Sequence, residues 1–432
     1  MFSFAGVVLA VAVVAGQEAR PYDGVGNVPG VSAQATGFFR VERIGRRWTV
    51  IDPLGHGFVP LGVDHVSYLG LHCEALGYAP YHEYNKRTCP DEEVWMDETA
   101  ARLRDWGFNM LGNSEYTRKL KSRGFVYADP IGIGARLCRK DADWGICCGV
   151  GPGAAFPNVF HPQFKDACEA WARERCAPQK DDPWLLGYFL DNELQWWGSW
   201  PPEEGLFNVV MSKPDTHPAK RALVAALNGR EATKDVKRRF VRAVANRYFA
   251  ITSAAIRKAD PNHMVLGCRF AGLEGAADVV WEAAAEHCDI VSVNCYPWAD
   301  LERGVILDKK DGVPIVDRLK EYHRLSGRPL MVTEWSFIGL DTGHPCTFGC
   351  GQRLKTQAER AAAAELFAKT LLSLDFVVGY DYFMWVDEPK LGLRKGFNED
   401  CNYGLVNEEG KPYPELTGAF RRVQRNLEKW RK

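Results

Sequence analysis

The order of hydrophobic runs predicts an α/β fold, a (β/α)8 TIM barrel with long loops at its C-terminal face. Three observations predict it. Eight short apolar runs of strand length alternate with stretches of helical period. No Gly-x-Gly-x-x-Gly turn follows any of these runs, as an open doubly wound sheet would require. Three connections, 66–95, 129–165 and 194–231, are long, and each leaves the C-terminal end of a run, the face on which such barrels build their sites.

In chain order, residues 1–16 form an apolar run with no charge before Glu18. Its length is that of a signal-peptide core and too short to span a bilayer comfortably, and the small residues Val14 and Gly16 suit cleavage after Gly16. Residues 17–37, rich in Gly, Val and Pro, read as a linker or strap, and residues 38–432 as one catalytic domain. That domain opens on an alternating stretch turning at Gly45, which predicts a hairpin capping the barrel bottom. The strand-like runs are 58–63, 110–112, 125–128, 185–190, 264–269, 290–294, 330–333 and 377–383. The clearest helices fall at 96–105, 232–258 and 356–374.

Composition narrows the function classes. A formal net charge of -1 with no long run of like charge argues against a nucleic-acid or membrane-surface partner and for a neutral or small one. Aromatic residues make up 12% of the chain, with 14 Trp. Flat rings of this kind suit both a core and the stacking platforms of a sugar cleft. Thirteen cysteines fit an oxidising compartment, so a secreted or periplasmic protein with disulfide bonds is expected. The loop residues Cys73, Cys89, Cys138, Cys147, Cys148, Cys346 and Cys350 are the disulfide candidates, and Cys268 and Cys295, in apolar runs, the buried free thiols. His344, Cys346 and Cys350 lack a second Cys/His pair at zinc spacing, so no metal and no cofactor is expected. No Gly-x-Ser-x-Gly elbow is present to suggest a serine hydrolase.

Two glutamates carry the chemistry. Glu193 directly follows the fourth run and Glu334 the seventh, so both project from the C-terminal rim into one cleft. Glycoside cleavage needs a proton donor for the leaving oxygen and a second carboxylate, ~5–5.5 Å away when that carboxylate is the nucleophile. The segments Leu-Gly-Tyr-Phe-Leu-Asp-Asn-Glu-Leu (186–194) and Thr-Glu-Trp-Ser-Phe-Ile-Gly-Leu-Asp-Thr-Gly (333–343) resemble the retaining clan-A glycoside hydrolases, and within them the family 50 β-agarases. The resemblance spans roughly 38–430. It implies hydrolysis of an agarose-like, β-linked galactose polysaccharide or oligosaccharide, with Glu193 as acid/base and Glu334 as nucleophile. It also implies that Asn192 holds the sugar 2-hydroxyl, that Tyr296 orients the nucleophile, and that Trp385 floors the subsite beside it. His65, Asn113 and Arg269, at the ends of the first, second and fifth runs, are candidate sugar ligands. Trp196 is a candidate apolar wall that would raise the pKa of the acid. Trp385 equally suits the core, and His65, Asn113 and Arg269 equally suit ordinary strand-end positions. Another clan-A substrate (β-galactoside, galactan or mannan) or a non-catalytic carbohydrate-binding barrel are the competing readings.

Overall fold

The computed structural model describes residues 26–113, 117–149, 154–198 and 201–431. The expected signal peptide lies outside them. The fold is mixed α/β around a curled sheet of nine strands, all paired in parallel. From one edge to the other the strands are Met264–Val265, Leu185–Phe189, Val126–Pro130, Met110–Leu111, Leu61–Val63, Val377–Tyr382, Leu330–Glu334, Val291–Asn294 and Phe270–Ala271. The helices Glu92–Asp105, Phe164–Arg175, Lys234–Ala259, Asp278–His287, Ile315–Ser326, Gln357–Ser373 and Pro414–Arg431 lie along the connections between them.

Side chains alternate between two apolar layers because successive strand residues face opposite sides. Tyr127, Leu185, Tyr188, Val332 and Val377 pack outward against the helices. Val126, Ala128, Leu186, Phe189, Met331 and Val378 pack inward on one another. The inner layer is closed from below by Phe39, Val50 and Phe58, which belong to or flank an antiparallel sheet of Asn27–Ser32, His56–Phe58, Arg47–Ile51 and Arg40–Ile44. The expected hairpin is therefore present, turning at Gly45 in the left-handed region (φ 61°). Trp48 N–H donates to Asp375 O (2.7 Å), just before strand Val377–Tyr382, which fixes the hairpin at the N-terminal end of the sheet. Within the stretch read as a linker, Asn27–Ser32 pairs antiparallel with His56–Phe58.

Two expected runs are broken in the structure. Run 58–63 divides at Pro60, which has no N–H to give to a ladder. Its first residue ends His56–Phe58 in the lower sheet and its last three form Leu61–Val63 in the parallel one. Run 264–269 is a strand only at Met264–Val265. The chain then passes through Gly267 (φ 89°) and Arg269 (φ 40°) before pairing again at Phe270–Ala271 with Val291–Asn294. Across this bulge Leu190 N–H donates to Gly267 O (2.8 Å) and Arg269 N–H to Ser292 Oγ (2.9 Å).

The expected disulfides are not found: all thirteen cysteines are free thiols. Cys138 lies beside Cys147 and Cys148, and Cys346 beside Cys401, yet all remain thiols; burial pushes Cys138 and Cys147 up to about 12, which keeps them protonated and slow to exchange. Cys268 and Cys295 are buried thiols, as read. Among the described residues no helix is long and apolar enough to cross a membrane.

Candidate active site

The site is built on the C-terminal ends of the parallel strands. Asn294 and Glu334 are cross-strand partners at the ends of Val291–Asn294 and Leu330–Glu334. The Asn294 Nδ2 group donates to Glu334 Oε2 (2.5 Å), Glu193 Oε1 (2.9 Å) and Asn192 Oδ1 (3.1 Å), while its Oδ1 accepts from Thr333 Oγ1 (3.0 Å). One nitrogen thus touches both glutamates. The two bonded carboxylate oxygens lie no farther apart than the sum of those two lengths, so the two carboxyl groups face each other across the site.

Arg269 is fully buried beneath this group. It donates from Nη1 to Asn192 Oδ1 (2.9 Å), from Nη2 to Asp64 Oδ2 (2.5 Å), and stands 4.0 Å from Glu334 Oε1. Burial is the largest influence on Glu334 and drives its carboxyl well above the ordinary range. The Arg269 charge opposes that, and the charges of Glu193 and Asp64 add to it.

Three non-glycine residues here hold left-handed backbone: Glu193 (φ 47°), His65 (φ 54°) and Arg269 (φ 40°). Such conformations cost of order 1–3 kcal/mol each and persist where surrounding bonds fix them. Glu193 N–H donates to Arg269 O (3.1 Å) and His65 N–H to Asn113 O (2.8 Å). Asn113 N–H in turn donates to Asp64 Oδ1 (2.7 Å).

The structure brings together Glu193, Glu334, Asn192 and Arg269. His65 and Tyr296 flank them on either side of the Phe383 ring, at centroid distances of 5.3 and 6.2 Å. Burial and the Arg269 charge lower His65 to about 4, so it is neutral near pH 7. Burial, then the nearby charge of Glu334, pushes the Tyr296 phenol well up. No hydrogen bond joins Tyr296 to Glu334 among the described residues.

The two tryptophans are corrections. Trp196 is 1% exposed and stacks on Phe249 (5.3 Å), edge-on to Tyr248 and Phe270, inside the outer core. Trp385 is 0% exposed, stacks on Trp106 (6.0 Å) and donates Nε1–H to Tyr81 Oη (3.1 Å). Both rings turn outward to the helices, where aromatic partners bury them, and neither offers a face to the cleft. The ring between His65 and Tyr296 is instead Phe383, two residues before Trp385. Sequence reading also missed Asn294, counted as the last residue of a strand, Asp64, just past the first run, and Asp381, hidden within the last apolar run.

Two clefts meet at Glu193. One, of about 630 Å³, is lined by Tyr296, Trp298, Lys309, Lys310 and Cys350. The other, of about 380 Å³, is lined by Arg136, Arg139, Trp171 and Asn192. Trp298 is half-exposed, a free aromatic face that sequence reading did not single out. Among the described residues no group of three His, Cys, Asp or Glu side chains is placed to hold a metal ion.

No known family profile matches the chain. β-Agarase B of Vibrio sp. (strain JT0107) is 22% identical over 92% of this chain and 49% of its own length. β-Agarase A of the same strain is 24% identical over 87% of this chain and 44% of its own. The chain therefore spans about half the length of these curated relatives. Among solved structures, an agarase superposes with a TM-score of 0.77 at 24% identity, over 94% of this chain and 66% of that one. That likeness establishes a shared fold.

Proposed function

We propose that this chain is a secreted retaining glycoside hydrolase that cleaves an agarose-like, β-linked galactose polysaccharide on a (β/α)8 barrel. Glu334 is the nucleophile and Glu193 the acid/base. The observation that carries the reading is the Asn294 amide shared by Glu193 and Glu334, which holds the two carboxyl groups together at the strand ends, as a nucleophile and an acid/base would be. The barrel reading rests on the sheet's two edge strands, Met264–Val265 and Phe270–Ala271. They are the halves of one interrupted strand, bonded on either side to Leu185–Phe189 and Val291–Asn294. The agarose-like substrate rests on the two β-agarases, and secretion on the apolar N-terminal run.

In the first step a Glu334 oxygen attacks the anomeric carbon while Glu193 gives its proton to the departing glycosidic oxygen. A covalent glycosyl ester forms and the C–O bond to the leaving group breaks. In the second step Glu193, now a carboxylate, takes a proton from water as that water attacks the same carbon and Glu334 departs. The reaction needs Glu193 to carry a proton and Glu334 to be ionised. The Arg269 guanidinium favours that arrangement by stabilising negative charge on Glu334.

Glu334→Ala and Glu193→Ala, each assayed with and without azide, separate the roles. Both should lose several orders of magnitude on polysaccharide. Azide should revive Glu334→Ala with an inverted glycosyl azide and Glu193→Ala with a retained one. Reversed outcomes would exchange the roles, and full activity in both variants would place the catalytic pair elsewhere.

A further inference from the structure

The smaller cleft beside Glu193 carries a charge that a neutral galactan does not need. Its wall is the short helix Ala135–Arg139, which presents Arg136 and Arg139 to the same space as Asn192 and Glu193. The Arg136 guanidinium lies 4.0 Å over the Trp171 ring, which fixes its plane. One of its groups is used, Nη2 donating to Ala167 O (3.1 Å), and its buried Nε has no partner. Arg139 is exposed and makes no ion pair or hydrogen bond among the described residues. Asp191, which with Glu174 acts on Arg136 from below, is already satisfied by Gly134 N–H and Ala135 N–H (2.9 Å each) and by Tyr248 Oη–H (2.5 Å). The larger cleft differs: its Lys310 is paired with Glu274 (2.5 Å), and Asp308 lies beside Lys309. Of these two clefts, the smaller alone has two guanidinium groups with donors to spare among the described residues and no lining carboxylate except Glu193.

We infer that this cleft is a subsite for an anionic substituent on the sugar next to the cleaved bond, a sulfate ester or a uronate carboxylate. Guanidinium groups match such oxyanions because their donors form a planar fork and their charge is weakly hydrated. The inference rests on the reading of Glu193 as acid/base, since that reading makes the cleft part of the substrate path. It narrows the substrate from a neutral galactan to a charged one.

The test is equilibrium binding to full-length Glu334→Gln, which halts turnover. The probes are a neutral agarose oligosaccharide, the same oligosaccharide carrying galactose 6-sulfate, and one carrying galacturonate. The charged probe that fits should bind about tenfold to a hundredfold more tightly than the neutral one, and which of the two does so identifies the anion. Arg139→Gln should reduce that ratio several-fold, as should Arg136→Lys, which keeps the charge and removes the fork. Arg139 is exposed, so its variant reports even if Arg136→Lys fails to fold. Equal binding of all three probes, or a preference unchanged in Arg139→Gln, overturns the inference. Preferential binding of a charged probe without hydrolysis of any probe by the unmodified protein would keep the subsite and reject the glycosidase reading.

Discussion

Asn294 offers two N–H hydrogens to three oxygens, those of Asn192, Glu193 and Glu334. Its competition is resolved only if one carboxyl is protonated or a sugar hydroxyl enters. Asn294→Ala should therefore lower kcat by ~10²–10³-fold, the usual effect of deleting one preorganised donor, while the melting temperature changes little. Steady-state kinetics and calorimetry on one preparation check this, and a kcat within threefold of the parent would show that the amide does not hold the pair. At this scale the glutamates were legible because a carboxylate after an apolar strand is costly to place without a use. Arg269 was legible for the same reason. Trp196 and Trp385 were misread because adjacency to a strand end does not say which side of the sheet a ring faces. Each had enough aromatic neighbours on the helix side to be buried there. Asn294 was missed because a polar residue ending an apolar run reads as a strand terminus.

The strands show why apolar runs hid polar residues. Gly62 and Gly112 lie where an added Cβ would stand 1.8 Å from Asp381 Oδ1 and 2.2 Å from Asp64 Oδ1. These two glycines open the space above the inner apolar layer in which Asp64, Asp381 and Arg269 are packed. Burial and the neighbouring Asp64 charge push the Asp381 carboxyl well above its ordinary range. Gly62→Ala should destabilise the protein by ~1–3 kcal/mol or more through overpacking. Gly418→Ala, in helix Pro414–Arg431 with only the tip of Arg422 nearby at 3.6 Å, should stabilise it by up to ~1 kcal/mol. Urea titration of both variants tests the contrast, and similar midpoints would mean that the strand glycines are not there for space. The places of the strands were readable from period and length, although the sheet has nine strands where the sequence shows eight runs. The interruption at 266–269 was not, because an unbroken apolar run gives no sign that Gly267 and Arg269 adopt positive φ.

At the scale of the molecule, stability and chemistry occupy opposite ends. The N-terminal sheet plugs the bottom of the inner layer through Phe39, Val50 and Phe58, and the two glutamates and both clefts lie at the top. Phe39→Ala, at a side chain 1% exposed, should cost ~3–5 kcal/mol and lower the melting temperature. Its kcat at a temperature where it remains folded should match the parent. A fall in kcat without a fall in melting temperature would contradict this division. The plug was legible from alternation, whereas the charge of the smaller cleft needed the fold, because Arg136 and Arg139 meet Glu193 only in space. The account's central claim is that Glu334 attacks the sugar. Incubation with an activated 2-deoxy-2-fluoro-β-galactoside, which forms the glycosyl ester faster than it hydrolyses, followed by peptide mass spectrometry, tests it most directly. The account predicts one fluorosugar per chain, on the peptide containing Glu334. An adduct on Glu193, or no adduct together with a first product of inverted anomeric configuration, would contradict it.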